Sequence, residues 1–218
     1  MSVLVYTVIT SNWRGWKGSL IDYDSYNAIV DYVCYTDIKD IKVNPPWRVK
    51  YIKNCDYKKI KILSHLYAKS YDFSIYCDGS VKLTSDPLKI IKKLDHHIAT
   101  FKHGLRDCNY EEAEMLLNVP KNDYRCSTEE KKALVRKQIK FMKSEGFPEH
   151  YGQSSGGFIV RDNSKEVEEF NKLWWKQIKQ FTNRDQVSLN YCLWKLGMKI
   201  TWLGNLRNNP LIKWYPFI

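Results

Sequence analysis

Short unbroken apolar runs alternate along this chain with stretches of helical spacing. Val3 to Thr10 and Asp31-Tyr32-Val33-Cys34-Tyr35-Thr36-Asp37 read as strands, and Trp47 to Ile52 as a third after the Pro45-Pro46 interruption. Tyr57 to Lys69 puts Ile60, Leu63 and Tyr67 on one helical face, with Lys58, Lys59 and Lys61 near its start. Tyr71 to Val81 is again strand-like. Beyond it, Asp86-Pro87 opens a short helix to Leu94, Ala99 to Lys102 reads as a strand, and Asn109 to Leu117 as an acidic helix. Thr128 to Glu145 is a longer helix, opened by Ser127 or Thr128 as cap with acidic residues in its first turn and ended at Gly146. Gly156 to Arg161 is a strand, Lys165 to Phe181 an amphipathic helix carrying Trp174 and Trp175, and Asp185 to Leu196 a last helix ending at Gly197. Strands alternating with helices predict an α/β fold with a central sheet. No repeat, low-complexity tract or long linker divides the chain, so residues 1–218 are expected to form a single domain.

The stretch that carries chemistry is Tyr71 to Val81, an apolar run that stops at Asp78-Gly79-Ser80. Read as a buried strand, it delivers one carboxylate to the carboxyl end of a sheet, where open α/β sheets bind ligands and where a carboxylate suits a hard cation beside a phosphate. The alternative is an Asp-Gly turn in a β-hairpin, with Val81 to Thr84 as the return strand.

Charge narrows the partner. Lys and Arg number 35 against 24 Asp and Glu, a net charge of +11, which points to an anionic partner: nucleotide phosphates, nucleic acid or an anionic membrane surface. A solvated basic face accounts for lysines such as Lys89, Lys92 and Lys93. The six cysteines form no C-x-x-C pair and read as buried thiols of a reducing compartment; Cys108 and Cys126 with His96, His97 and His103 lack zinc-ligand spacing. The apolar start, Met1 to Ile9, is too short and lacks the basic residues of a signal peptide, and no run is long enough to span a bilayer, so a cytoplasmic location is expected.

Tyr6-Thr7, Asp31 to Asp37, Lys61-Ile62-Leu63-Ser64-His65, Tyr71 to Ser80, Ala99 to His103, Arg106-Asp107-Cys108-Asn109-Tyr110-Glu111-Glu112-Ala113, Gln138 and Arg184-Asp185-Gln186 occur in an order that resembles a family of GT-A-fold glycosyltransferases. That family includes plant polysaccharide-related transferases with an Ile-Trp-Ile-Asp-Gly strand, and the chain is also similar to small glycosyltransferases of large algal viruses. The similarity extends over about residues 3 to 200. It implies a GT-A-like (Rossmann-like) domain, a mixed and mostly parallel sheet flanked by helices, that binds a nucleoside-diphosphate sugar, UDP-linked, beside Mn²⁺ or Mg²⁺. The counterpart of the D-x-D motif is Asp78-Gly79-Ser80, with Asp78 and Ser80 toward the metal; serine in the last position weakens the metal site or makes the metal dispensable. By the same resemblance Thr7 and Thr36-Asp37 border the base and ribose.

Sugar transfer develops positive charge on the anomeric carbon and negative charge on the departing diphosphate, so the site needs cations near the phosphates and a carboxylate near the sugar. Lys61, Arg106 and Arg161 are the candidates for the phosphate side. Asp185 is the candidate catalytic carboxylate, placed after Arg184 at a helix start; the same position suits a helix N-cap, and the two roles can coexist. Trp13 and Trp16, in the loop Ser11 to Leu20, are candidates for stacking on a sugar, whereas Trp174 and Trp194 have core spacing. The leading function is thus a metal-assisted, hexosyltransferase-like enzyme of glycan biosynthesis. The alternatives are a basic nucleic-acid-binding protein, motivated by charge and interleaved aromatics, and an inactive sugar-nucleotide-binding relative, motivated by the missing second carboxylate.

Overall fold

The computed structural model describes residues 1–11, 26–120, 123, 125–207 and 209–215. Among them run the strands Val3–Ile9 (β1), Asp31–Thr36 (β2), Arg48–Tyr51 (β3), Phe73–Cys77 (β4), Val81–Leu83 (β5), Ile98–Lys102 (β6), Ser154–Asp162 (β7), Thr201–Asn205 (β8) and Ile212–Trp214 (β9). The helices are Tyr57–Ile62 (α1), Pro87–Ile91 (α2), Asn109–Leu117 (α3), Glu129–Ser144 (α4), Lys165–Gln180 (α5) and Asp185–Lys195 (α6). Seven strands form one sheet in the order β3-β2-β1-β4-β7-β6-β8, and β5 pairs with β9. In the seven-stranded sheet β7 is antiparallel to both neighbours, β4 and β6, while the remaining pairs are parallel; β5 and β9 are antiparallel. The result is the mixed, mostly parallel sheet flanked by helices expected of this α/β chain.

Because side chains alternate across a strand, β1 feeds two cores. Leu4, Tyr6 and Val8 join the helices α1, α3, α4, α5 and α6 on one face. Val3, Val5 and Ile9 join α2, β5 and β9 on the other. Burial on both faces is why β1 reads as a continuous apolar run. All six cysteines are free and buried in these cores, where burial pushes the Cys34 thiol up to about 12. No described helix is long and apolar enough to cross a membrane.

Two local outcomes differ from the sequence pattern. Val81 does not return along β4: its N–H donates to Asp78 O at 2.9 Å, closing a turn, and β5 then pairs with β9 rather than forming a hairpin. The turn packs so closely on β1 that a Cβ at Gly79 would lie 2.5 Å from Ile9 Cδ1, so this position takes only glycine without a shift. The helix expected over 57–69 stops at Ile62, and Ser64–Leu66 continues as a 3₁₀ turn.

The early stop has a cause in Arg161. Its side chain is fully buried, and its guanidinium donates to Lys61 O at 2.7 Å, Ile62 O at 3.1 Å, Asn171 Oδ1 at 2.8 Å and the Tyr6 hydroxyl at 2.7 Å. The carbonyls at the end of α1 are thereby satisfied without a further helical turn. Arg161 is therefore a core residue that fixes α1 against the sheet, not a cation on the phosphate side. Arg161→Met is expected to leave Ile62 O unpaired in the core and Lys61 O with the Tyr6 hydroxyl alone, and to cost on the order of 3 kcal/mol, read as a lowered midpoint in urea unfolding. An unchanged midpoint would assign the end of α1 to helix propensity alone.

Candidate active site

Asp78 follows directly on strand β4, at the edge where β1 and β2 also end. Asp78 shares its face with Tyr76, two residues earlier, and the Tyr76 hydroxyl donates to Asp78 Oδ1 at 2.6 Å. Strand β7 begins at this edge, and the Asp78 N–H donates to Gly157 O at 2.8 Å. A Cβ at Gly157 would fall 2.9 Å from Asp78 Oδ2, and one at Gly156, where φ is +73°, would meet Gln186 Cγ at 3.1 Å. The glycine pair lets the β7 main chain pass directly beside the Asp78 carboxylate and the first turn of α6.

Helix α1 supplies the cations. Asp56 caps it by accepting from the Lys59 N–H at 3.1 Å. Lys58 and Lys61, three apart and hence neighbours on one face, point the same way. Lys61 Nζ lies 2.5 Å from Asp185 Oδ2 and 4.0 Å from Asp78 Oδ1, and 4.9 Å from the centre of the Tyr76 ring. Lys58 Nζ lies 2.6 Å from Asp185 Oδ1. The Asp185 side chain is 3% exposed, that of Lys61 5% and that of Lys58 12%, whereas Asp78 remains 37% exposed.

Asp185 is the first residue of α6, and the N-cap is Arg184. Its carboxylate is spent on the two lysines instead of on main-chain N–H groups, so the N-cap alternative does not hold, although the charge still opposes the positive helix end. Trp174, a core residue of α5 as its spacing suggests, fixes the main chain here by donating to Asp185 O at 3.1 Å. Burial by itself would raise the pKa of this carboxyl, but Lys58, Lys61 and Arg184 together outweigh it and hold the group well below the ordinary carboxylate range.

Lys61, Asp78 and Asp185 thus meet at one point, drawn from three segments far apart in sequence. The other sequence candidates differ in how they relate to this point. The Ser80 hydroxyl, two residues past Asp78, is buried with no hydrogen-bond partner among the described residues. Asp37 sits at the ends of β1 and β2, accepting from Ser11 N at 2.7 Å and Ser11 Oγ at 3.1 Å. Thr36 Oγ1 accepts from Ile38 N at 3.0 Å in the turn that follows β2. Thr7 is buried and belongs to the β1 face of Val5 and Ile9, opposite to Tyr76 and Asp78. Arg106 donates to the buried Glu112 at 2.8 Å, a carboxylate that Arg184 shares at 3.4 Å, so it joins the cluster only through the residue preceding Asp185. Trp13 and Trp16 lie outside the described residues. The residues that sequence reasoning missed are Lys58, Tyr76, Gly156 and Gly157. The signals were there for the first two: Lys58 is one turn from Lys61, and Tyr76 is on the same strand face as Asp78.

Elsewhere, Asp107, Glu111 and His150 form the one group of metal-type ligands among the described residues, exposed and with ligand atoms within 4.8 Å of one another. A hydrogen bond to Asp107 raises the pKa of the His150 imidazole. The cysteines and the remaining histidines form no such group among those residues.

Residues 28–210 match the sequence profile of the TOD1/MUCI70 glycosyltransferase-like domain. A relative from Arabidopsis thaliana, described as the probable hexosyltransferase MUCI70, is 26% identical over 172 residues. The match takes in 72% of this chain but 29% of that protein, so the chain spans less than a third of the relative's length. Among solved structures, that of WbbM, a bifunctional glycosyltransferase without ligand, superposes with a TM-score of 0.51 over 93% of this chain and 38% of its own, at 11% identity. That likeness concerns the fold.

The Lys58–Asp185–Lys61 cluster has a testable electrostatic sign. A carboxyl held below its unfolded pKa contributes stability that is complete above about pH 4 and is lost only as pH falls through the lower folded value. In the double variant Lys58→Met/Lys61→Met the buried Asp185 is stranded, at a cost of roughly 3–5 kcal/mol near pH 7. Burial then raises its folded pKa, so protonation relieves the defect and the deficit against the wild type should shrink between pH 7 and pH 5. Urea unfolding at the two pH values reads this; a deficit that grows on acidification would contradict the assignment.

Proposed function

The chain belongs to the TOD1/MUCI70 glycosyltransferase-like family, and on that premise we propose that it transfers a sugar from a UDP-linked donor to a hydroxyl of a glycan acceptor. The observation that carries this reading is the meeting of Asp78 and Asp185 at the Lys61 ammonium, on the edge where the parallel strands end. Open α/β sheets bind ligands outside that edge. The departing diphosphate takes up negative charge, for which Lys61 is the nearest fixed cation, while Asp185 is the carboxylate available to the reacting sugar and its acceptor.

A divalent cation suits Asp78 in a limited way. Asp78 Oδ2 faces the space kept open by Gly157, and the Ser80 hydroxyl is a buried oxygen still lacking a partner. With one carboxylate and one hydroxyl from the protein, the ion would be of the Mg²⁺ or Mn²⁺ kind that keeps several waters and binds mainly through phosphate oxygens. Such an ion, when bound, neutralises the diphosphate. The protein's own contribution is to orient Asp78 through Tyr76 and to hold Lys61 beside it.

The state of Asp185 bears on its role. A carboxylate kept ionised by two ammoniums accepts hydrogen bonds well but accepts a proton poorly, because the base best suited to neutral pH has a pKa near it. This favours a second reading of the same residue, in which Asp185 orients a donor-sugar hydroxyl in a reaction that retains anomeric configuration. As for nucleic acid, Lys61 and Arg161 are buried and are lost to any surface track, and Lys58 is turned onto Asp185.

Asp78→Asn should weaken Mn²⁺-dependent UDP affinity at least about tenfold in calorimetric titration, and Gly157→Ala, which crowds the same carboxylate, should move it in the same direction with little change in fold stability. Unchanged metal-dependent affinity in Asp78→Asn would remove the cation from this position. Asp185→Asn should lower turnover by roughly a hundredfold or more. If it acts as the base, UDP-sugar affinity relative to UDP is kept; if it orients the sugar, that ratio falls. Normal turnover in a folded Asp185→Asn variant would end both roles.

A further inference from the structure

The charges around Asp185 do not balance. Two ammoniums, Lys58 and Lys61, bind one carboxylate, and all three side chains are nearly buried. The nearest further carboxylate, Asp78, is 4.0 Å from Lys61, is partly exposed and is already hydrogen-bonded by Tyr76. Arg184 adds to the positive field at Asp185, although its guanidinium faces the buried Glu112 that Arg106 also holds, so four cations here meet three carboxylates. Uncompensated positive charge in a poorly hydrated place is costly, and it is what a site for a multiply charged anion requires.

The two lysines are not equivalent. Lys61 is pinned: its main-chain carbonyl is held by Arg161 and by the Tyr6 hydroxyl, and its ammonium lies over the Tyr76 ring between the two aspartates. Lys58 is one turn nearer the start of α1 and more exposed, and its ammonium touches Asp185 and the face of Tyr57, 5.0 Å away. A lysine is a point charge on a flexible four-carbon stem, so Lys58 has the freedom to turn while Lys61 stays.

We propose that Lys58 is a diphosphate ligand that the free protein stores on Asp185, so that donor binding moves its ammonium from Asp185 Oδ1 to a phosphate oxygen and uncovers the carboxylate. The inference rests on the nucleotide-donor reading of the site and adds to it a residue and an order of events. Asp185 competes with the diphosphate for Lys58, and it becomes available to the sugar only once the diphosphate has taken the lysine. The carboxylate therefore lowers the apparent affinity for nucleotide, because part of the binding energy goes into breaking the stored ion pair.

The sign of one substitution separates this from a scaffold role. UDP is titrated calorimetrically into the full chain, in parallel with Mn²⁺ and with EDTA, for the wild type, Lys58→Met, Lys58→Arg, Asp185→Asn and Lys58→Met/Asp185→Asn. Lys58→Met should bind UDP about tenfold more weakly, and Lys58→Arg within about threefold of the wild type, since a charge-assisted contact to phosphate is lost in one and kept in the other. Asp185→Asn should bind UDP several-fold more tightly than the wild type, and that gain should largely vanish when Lys58 is also Met. If Asp185 instead serves to hold the lysines in place, Asp185→Asn binds equally or more weakly, and the exchange is overturned. It is likewise overturned if Lys58→Met binds like the wild type. Should Lys58→Met fail to fold, the direction of the Asp185→Asn effect decides alone. A wild-type chain that binds no UDP under either condition refutes the nucleotide-donor reading itself, whereas a binding wild type with unaltered variants refutes only the exchange.

Discussion

A guanidinium buried among main-chain carbonyls is the fixed point of this structure. From within β7, Arg161 ties together the C-terminal end of α1, the hydroxyl of Tyr6 on β1 and Asn171 on α5. Burial of such a group is costly unless most of its donors are paired; both terminal nitrogens are, while Nε is left without a partner, and Ile62 O takes its hydrogen bond from Arg161. The geometry of the polar cluster follows from it. Because α1 ends where Arg161 takes its carbonyls, Lys61 lies in the last turn with its side chain toward the strand edge, and Lys58 lies one turn behind on the same face. A helix continuing to Lys69 would have carried those lysines on an element free to settle elsewhere.

The second constraint is space at the strand edge. Asp78 leaves β4 where β7 enters, and the two main chains run so close that Gly156 and Gly157 are the only residues that fit beside Asp78, Gln186 and Lys61 without displacement. On the opposite face Gly79 does the same against Ile9. The carboxylate is thus oriented from below by the Tyr76 hydroxyl and confined laterally by bare main chain. A charged group held this way costs conformational freedom once, at folding, and reaches a ligand already aimed.

Much of this was legible in the sequence, for reasons that differ between elements. The strands β1, β2 and β4 are buried on both sides, which compresses into apolar runs that can be read directly. Helices α4 and α5 carry their starts in local chemistry, Thr128 and Ser164 accepting from the Lys131 and Val167 N–H groups, and Gly197 follows the end of α6. Lys61, Asp78 and Asp185 were found separately, each by its position in an element. Their meeting was not readable, because it depends on contacts between residues far apart in sequence. The same holds for Arg161: a single arginine at the end of a strand looks like a surface charge or a ligand for phosphate, and only the carbonyls of α1, about a hundred residues earlier in the chain, make it a core residue. Strands β8 and β9 are short and largely exposed at one end, so they lack the pattern that betrays the others.

Serine at position 80, where a metal-binding carboxylate is the usual expectation for this fold, gains a physical context from the lysines. A site with two strand-edge carboxylates would set −2 against whatever cations it recruits, and a divalent ion answers that charge. Here two ammoniums and the nearby Arg184 already face Asp185, with Asp78 at longer range. In the donor reading proposed above, part of the positive charge that a diphosphate needs would be covalently attached to α1, and the demand on a diffusible ion would fall correspondingly. The exchange carries a cost of its own. Fixed ammoniums must be paired in the absence of ligand, since burial leaves them no water to turn to, and the carboxylate nearest to hand is the one the sugar chemistry would use. Pairing Lys58 and Lys61 with Asp185 satisfies all three groups in the free protein, and on the proposed reading it would make each half of the site dependent on the occupancy of the other.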